Sequence, residues 1–341
     1  MATVFLDGRF VSADEARVSA FDAGFQHGVG VFETMLGGVT RGDGAPDTPD
    51  DDAPELGDGE AWIHRLDDHL DRLIDSAAAL GLTDALRKPA LAETVRRTVA
   101  RSGLARARVR LTVTGGDMSL LGGRDGGTEG RRDGNGGVET GRPAARRPHD
   151  PTILIVAQPA TEYPESMFDE GVTAVIGDTR ANPLDPLAGH KTLSYWGRLR
   201  ELSVAARKRA GEAIVLQVTN HLAGGCVSNI FLAKDGLLLT PIARGEEAEG
   251  GAKGPSLPSP VLPGVTRRAV IALAGERGVE CLRRMLSIED LLGADEVFLT
   301  NSSWGVMPVV GVERSVIGAG AVGELSRELL AAWRGEVEGM T

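Results

Sequence analysis

A lysine among apolar residues is one of several places in this chain whose residue types could do chemistry. In AGHKTLSYWGRLREL, Lys191 lies between a Pro- and Gly-rich segment and a predicted helix, with Leu193, Tyr195 and Trp196 beside it. Apolar surroundings depress a lysine's pKa and leave a neutral amine, a nucleophile suited to a Schiff base. The same placement fits a surface lysine at a helix start. Downstream, Pro263-Gly264-Val265-Thr266 opens an apolar helix that Gly278 ends. Free N–H groups and a hydroxyl at a helix N-terminus can hold a phosphate. Thr266 acting only as the helix cap is the competing reading. In VFLTNSSWGVMPV an apolar strand runs into Thr300, Asn301, Ser302 and Ser303. Hydroxyls clustered there suit an anion, or form an ordinary polar turn. Between lysine and helix, HLAGGCVSNIF turns small-sided at Ala223, Gly224, Gly225 and Cys226 just before a buried strand. A tight bend explains that, and so does a ligand lying against the backbone.

These residues need elements to hold them. TVFLDGRFV reads as a hairpin with Asp7-Gly8 as its turn. Leu70, Leu73, Ile74, Ala77 and Leu80 share one face of a helix over 67–82, with Asp67 and Asp68 at its positive end. Strands are predicted at 108–114, 152–157, 172–176, 213–218, 227–233, 237–240, 296–300 and 306–310, and further helices at 195–209 and 266–277. The pattern is α+β, divided into a domain over 1–150 and a second over 151–341. Three stretches, 42–60, 115–150 and 244–258, lack the apolar content to bury themselves and read as solvated, mobile insertions.

Composition narrows the function. The chain has 341 residues, 42% hydrophobic and 25% charged, which suits a soluble globular protein. Eight acidic residues and no basic ones fall in 42–60, so most of the net charge of −11 belongs to one segment. No basic stripe offsets it, which argues against nucleic acid. No apolar run is long enough to span a bilayer, and the first residues lack the features of a secretion signal. Two cysteines, Cys226 and Cys281, fit a reducing cytoplasm rather than a disulfide framework. The histidines at 27, 64, 69, 149, 190 and 221 have no metal-ligand spacing, so no metal is expected. They read as core or surface residues, His190 and His221 being the two that merit attention.

The order of these motifs resembles the class IV aminotransferases, the fold type IV pyridoxal-phosphate enzymes. That family includes branched-chain aminotransferase, D-amino-acid aminotransferase and 4-amino-4-deoxychorismate lyase. DAGFQHGVGVFET, HLDRL, HKTLSYW, GCVSNIFLAKDG with LPGVTR, and FLTNSSWGVMPV match family segments in order. The resemblance implies a small N-terminal α+β domain, a C-terminal barrel-like domain and a homodimer with pyridoxal 5'-phosphate between the domains. It makes Lys191 the Schiff-base lysine and proton shuttle. Arg72, Val265, Thr266 and Ser302 become phosphate ligands, with Thr266 and Ser302 offering hydroxyls and Val265 its N–H. Tyr195 would meet the phenolic oxygen, and Asn229 would belong to the cofactor site. Phe32 and the Ser303 backbone would meet substrate, an amino acid or 2-oxo acid.

Departures bear on activity. Family members carry a glutamate five positions before the motif Asn, beside the pyridine nitrogen, where it keeps the ring an electron sink. Counting back from Asn229 gives Gly224, and residues 220–228 contain no acid. His221, Cys226 or a water would have to substitute. A neutral ring nitrogen would slow Cα deprotonation, and Gly224→Glu is expected to restore it. Gly115 stands where many members have an arginine, which counts against a D-amino-acid enzyme. Ala23 and Val29 replace a common arginine and a common polar residue. The expected function is an aminotransferase acting on a branched-chain L-amino acid. The alternatives are 4-amino-4-deoxychorismate lyase, or a cofactor-binding pseudoenzyme.

Overall fold

Local chemistry explains where the first strands turn. Asp7 and Gly8 both take positive φ, 47° and 90°, so the two-residue turn matches the twist of its hairpin. A computed structural model of the chain describes residues 2–40, 60–117, 150–248 and 257–341. The expected insertions lie, over 42–59, 118–149 and 249–256, outside the described residues.

The first half runs β1 (Thr3–Leu6), β2 (Arg9–Val11), α1 (Ala23–His27), β3 (Gly30–Val39), β4 (Ala61–Ile63), α2 (Leu66–Ala79), α3 (Lys88–Ser102), β5 (Ala107–Thr114) and β6 (Ile153–Pro159). The second half follows with α4 (Ser166–Asp169), β7 (Val172–Ala181), α5 (Trp196–Arg207), β8 (Glu212–Gln217), β9 (Leu222–Gly225), β10 (Asn229–Lys234) and β11 (Leu237–Thr240). It ends with α6 (Val265–Glu276), β12 (Cys281–Arg283), α7 (Ile288–Leu292), β13 (Glu296–Asn301), β14 (Gly305–Val312), β15 (Ser315–Val316) and α8 (Glu324–Glu338).

Among the described residues these strands make two sheets. The first has the order β2-β1-β6-β5-β3-β4, and α2 and α3 bury Leu70, Leu73, Val95 and Val99 against its Val109, Leu111 and Ile155. The second has the order β12-β11-β10-β13-β14-β7-β8-β9, with β15 on β14. It curls until β9 touches β10, with four strands between them along the sheet, which gives the barrel-like form of a fold type IV, α+β protein. Phe231 stacks on Phe298 at 5.1 Å in its core, and Trp333 of α8 is buried there too.

β6 pairs with β1 and β5 and so belongs to the first sheet. Two expectations need correction. The strand expected over 227–233 begins only at Asn229; residues 226–228 form a turn, with Gly225 N–H donating to Ser228 O at 2.9 Å. The start of the third supposed insertion is anchored instead of solvated. Glu246 accepts from the buried Arg267 at Nη1, 2.7 Å, and Nη2, 2.8 Å. Helices α3 and α8 lie outside the elements predicted from sequence.

Candidate active site

The two sheets enclose a cavity of about 520 Å³. All nine residues expected to do chemistry line it: Phe32, Arg72, Lys191, Tyr195, Asn229, Val265, Thr266, Ser302 and Ser303. Lys191 is held by backbone rather than by its own side chain. Phe32 N–H donates to Lys191 O at 2.9 Å and Leu193 N–H to Gly30 O at 2.9 Å, so the segment pairs along β3. That clamp sets Lys191 Nζ 4.6 Å from the Phe32 ring centroid and 5.7 Å from that of Tyr195.

The anion cradle forms at the start of α6. Its N-cap is Gly264, whose lack of a side chain leaves the first-turn N–H groups without a side-chain acceptor. Thr266, two residues inside, is therefore not the cap. Its Oγ1 lies 3.3 Å from Ser302 Oγ, and Ser302 Oγ lies 3.4 Å from His69 Nε2. A β-carbon on Gly264 would overlap Asn229 Oδ1, while Asn229 Nδ2 donates to Leu262 O at 2.9 Å. Asn229 thus braces the loop into α6. Thr300 Oγ1 is buried at the same cavity without a hydrogen-bond partner. Free helix-start N–H groups, two facing hydroxyls and an orphaned third fit the phosphate of pyridoxal phosphate.

Behind the cradle lies a network missed from sequence. Arg72 donates from Nε and Nη2 to Glu33 at 2.8 and 2.6 Å, and from Nη1 to Pro263 O at 3.0 Å. It ties α2 to the loop before α6 and keeps two N–H bonds for a ligand. His69 Nδ1 lies 2.7 Å from the same carboxylate, so His69 is a core histidine with a charged partner. Burial would push the Glu33 carboxyl up, but Arg72 and His69 outweigh it and hold it at about 2. Burial pushes the His69 imidazole down, against the pull of Glu33. A neutral ring donating from Nδ1 leaves Nε2 as an acceptor for Ser302.

The opposite expectations fare less well. Ser303 N–H donates to Asn301 Oδ1 at 2.9 Å, so it is already taken and does not wait for a carboxylate. His221 bonds Thr219 Oγ1 and does not line the cavity, whereas His190 and Cys226 do. Burial pushes the Cys226 thiol up to about 12, so it stays protonated. Gly224 has φ of 147°, and a β-carbon there would stand 2.7 Å from Ser228 O. Glutamate at 224 would therefore displace backbone, and Gly224→Glu does not simply restore a lost carboxylate. Arginines reach the cavity from elsewhere: Arg108 and Arg110 of β5, with the Arg110 Cζ 3.8 Å above the Phe32 ring centroid, and Arg198 of α5. Strand alternation from Thr112 and Thr114 would have placed Arg108 and Arg110 on one face.

A curled sheet beside a smaller one, with an amine and a phosphate cradle in the cleft between, defines a pyridoxal-phosphate enzyme of fold type IV. The family model for amino-transferase class IV matches residues 57–312, and the chain belongs to that family of pyridoxal-phosphate-dependent transaminases. A Methanocaldococcus jannaschii protein provisionally named as a branched-chain-amino-acid aminotransferase is 30% identical over 96% of this chain and 93% of its own. The structure of the Escherichia coli branched-chain amino acid aminotransferase is similar with a TM-score of 0.75, 25% identity, and 98% and 93% coverage. That of 4-amino-4-deoxychorismate lyase from Pseudomonas aeruginosa gives 0.70, 26%, and 98% and 99%.

Proposed function

We infer that this transaminase moves an amino group between a branched-chain L-amino acid and a 2-oxo acid, with Lys191 as the point of cofactor attachment. The observation that carries the reading is the Lys191 amine, clamped to β3, in one cavity with the Thr266–Ser302 cradle. The bound cofactor supplies a ring that withdraws electrons from the substrate's Cα. Val265 N–H, Thr266, Ser302 and Arg72 would hold its phosphate, Asn229 braces the loop that carries the cradle, and Tyr195 would meet its phenolic oxygen. The Lys191 amine, once released, carries the proton to and from Cα. Arg108 and Arg110 give substrate carboxylates a positive wall, while Phe32, Leu193 and Trp304 offer apolar surface to a branched side chain. The two sheets are the two domains, and the working form is a homodimer in the cytoplasm, where Cys226 and Cys281 stay free.

A donor panel tests this. Leucine, isoleucine or valine should bleach the near-visible absorbance of the holoenzyme, and 2-oxoglutarate should restore it. Borohydride should fix the cofactor to Lys191, and Lys191→Ala should lower turnover by about 10²- to 10⁴-fold. The likeness to the Pseudomonas aeruginosa lyase favours a second reading, for which pyruvate and p-aminobenzoate would appear from aminodeoxychorismate. A cofactor-loaded protein inert to every donor would instead support the pseudoenzyme.

A further inference from the structure

Ala223, Gly225 and Cys226 form the wall where the family resemblance puts a glutamate beside the cofactor's ring nitrogen. Among the described residues no carboxylate lines the cavity in its place. Glu212, on the neighbouring β8, points its oxygens at that turn from behind. They are occupied by the N–H groups of Ala213, Cys226 and Val227 and by Ser228 Oγ, at 3.0 to 3.3 Å. Glu201 turns the other way, accepting from Asp178 N–H and Thr179 Oγ1, each at 3.1 Å. The charged group that does reach the wall is Arg198, in the first turn of α5. Its Nη1 donates to the carbonyl oxygens of Gly225 and Cys226, both at 3.1 Å, and its Cζ lies 5.8 Å from the Tyr195 ring centroid. Among the described residues no carboxylate pairs with it, and its Nη2 and Nε make no hydrogen bond.

We propose that Arg198 faces the cofactor's ring nitrogen and holds it unprotonated, as a hydrogen-bond acceptor. A guanidinium has only donors and stays charged at any working pH. A cation beside a pyridine disfavours its protonated form. The positive end of α5 acts in the same direction. Gly224 follows from this arrangement: with a donor at the nitrogen, an acid in the turn has no role, and the backbone is free to adopt a φ that side chains avoid. An unprotonated ring nitrogen would draw electrons from Cα more weakly than a protonated one, which would leave more of the proton removal to Lys191.

The inference rests on the cofactor being attached at Lys191, and the test separates the two. The protein is reconstituted with pyridoxal phosphate labelled with ¹⁵N in the ring, and the nitrogen resonance is followed through the neutral pH range. The expected signal is that of an unprotonated pyridine, and Arg198→Glu moves it upfield to the protonated position. Should that variant not fold, Arg198→Gln, which keeps an N–H donor for the two carbonyls, raises the ring nitrogen's pKa instead. A protonated signal in the wild-type protein, or one unchanged by the variants, overturns this inference and leaves the attachment standing. Loss of the label after borohydride and denaturation would overturn both.

Discussion

At the scale of single residues, Glu33 is the most consequential side chain that was not expected to do chemistry. It is fully buried and shared between Arg72 and His69. Its carboxyl is held at about 2 against an ordinary 4.5, so its stabilisation is complete above pH 4.5 and is lost as the pH falls toward 2. The shift corresponds to a contribution on the order of 3 kcal/mol. Glu33→Gln should therefore be destabilised at neutral pH, and its deficit against wild type should shrink as the solution is acidified from pH 4.5. Urea midpoints of both proteins across that range measure it. The same variant should weaken cofactor binding, because Arg72 loses the partner that aims it and His69 loses the bond that makes Nε2 an acceptor. A constant deficit across the acid range would mean that Glu33 contributes by packing alone.

The element that carries the cradle is α6, and two of its glycines separate position from propensity. A β-carbon on Gly264 meets Asn229 Oδ1, whereas one on Gly275, within the same helix, meets nothing within 4 Å. Gly264→Ala should push Asn229 off Leu262 O and tilt the first turn, at a cost of about 1–3 kcal/mol and roughly tenfold or more in cofactor affinity. Gly275→Ala should leave affinity alone and stabilise by about 0.5–1 kcal/mol. Cofactor titration and thermal melts of the two variants decide it. Helix α6 was legible because its signals are local: an apolar run between Pro263-Gly264 and Gly278. The same holds for the β1–β2 hairpin and for α2. Helix α3 mixes its buried Leu91, Val95 and Val99 with arginines and alanines, which dilutes the pattern. The site divides along the same line. Lys191, Thr266 and Ser302 could be found because each sits in a distinctive short motif. Arg198 and Glu33 lie in quoted motifs and alternation pairs Arg110 with Arg108, but what these side chains face depends on strand register and on which side of a helix turn meets a wall contributed by distant residues.

At the scale of the whole molecule, the surface beside the cavity exposes large apolar side chains. Phe21, Phe25 and Trp196 are 66%, 75% and 80% exposed. The end of α1 abuts the segment leading into α5: a β-carbon on its Gly28 C-cap would reach within about 4 Å of Leu193 and Ser194. Phe25 and Trp196 therefore belong to one neighbourhood, with Leu199 a turn beyond, 48% exposed and itself lining the cavity. Large apolar side chains exposed together beside a binding site suit an interaction face. A second copy is the occupant that the homodimer reading requires, and its effect would reach the site directly, because the segment that Trp196 follows is the one clamped to β3 behind Lys191. Phe25→Asp and Trp196→Asp each place an unpaired charge in that face. Sedimentation should show a dimer for the wild type and a shift to monomer for the variants. Cofactor affinity should fall with dissociation and recover at high protein concentration. Monomeric wild type with full cofactor occupancy would show that the cavity is complete within one chain.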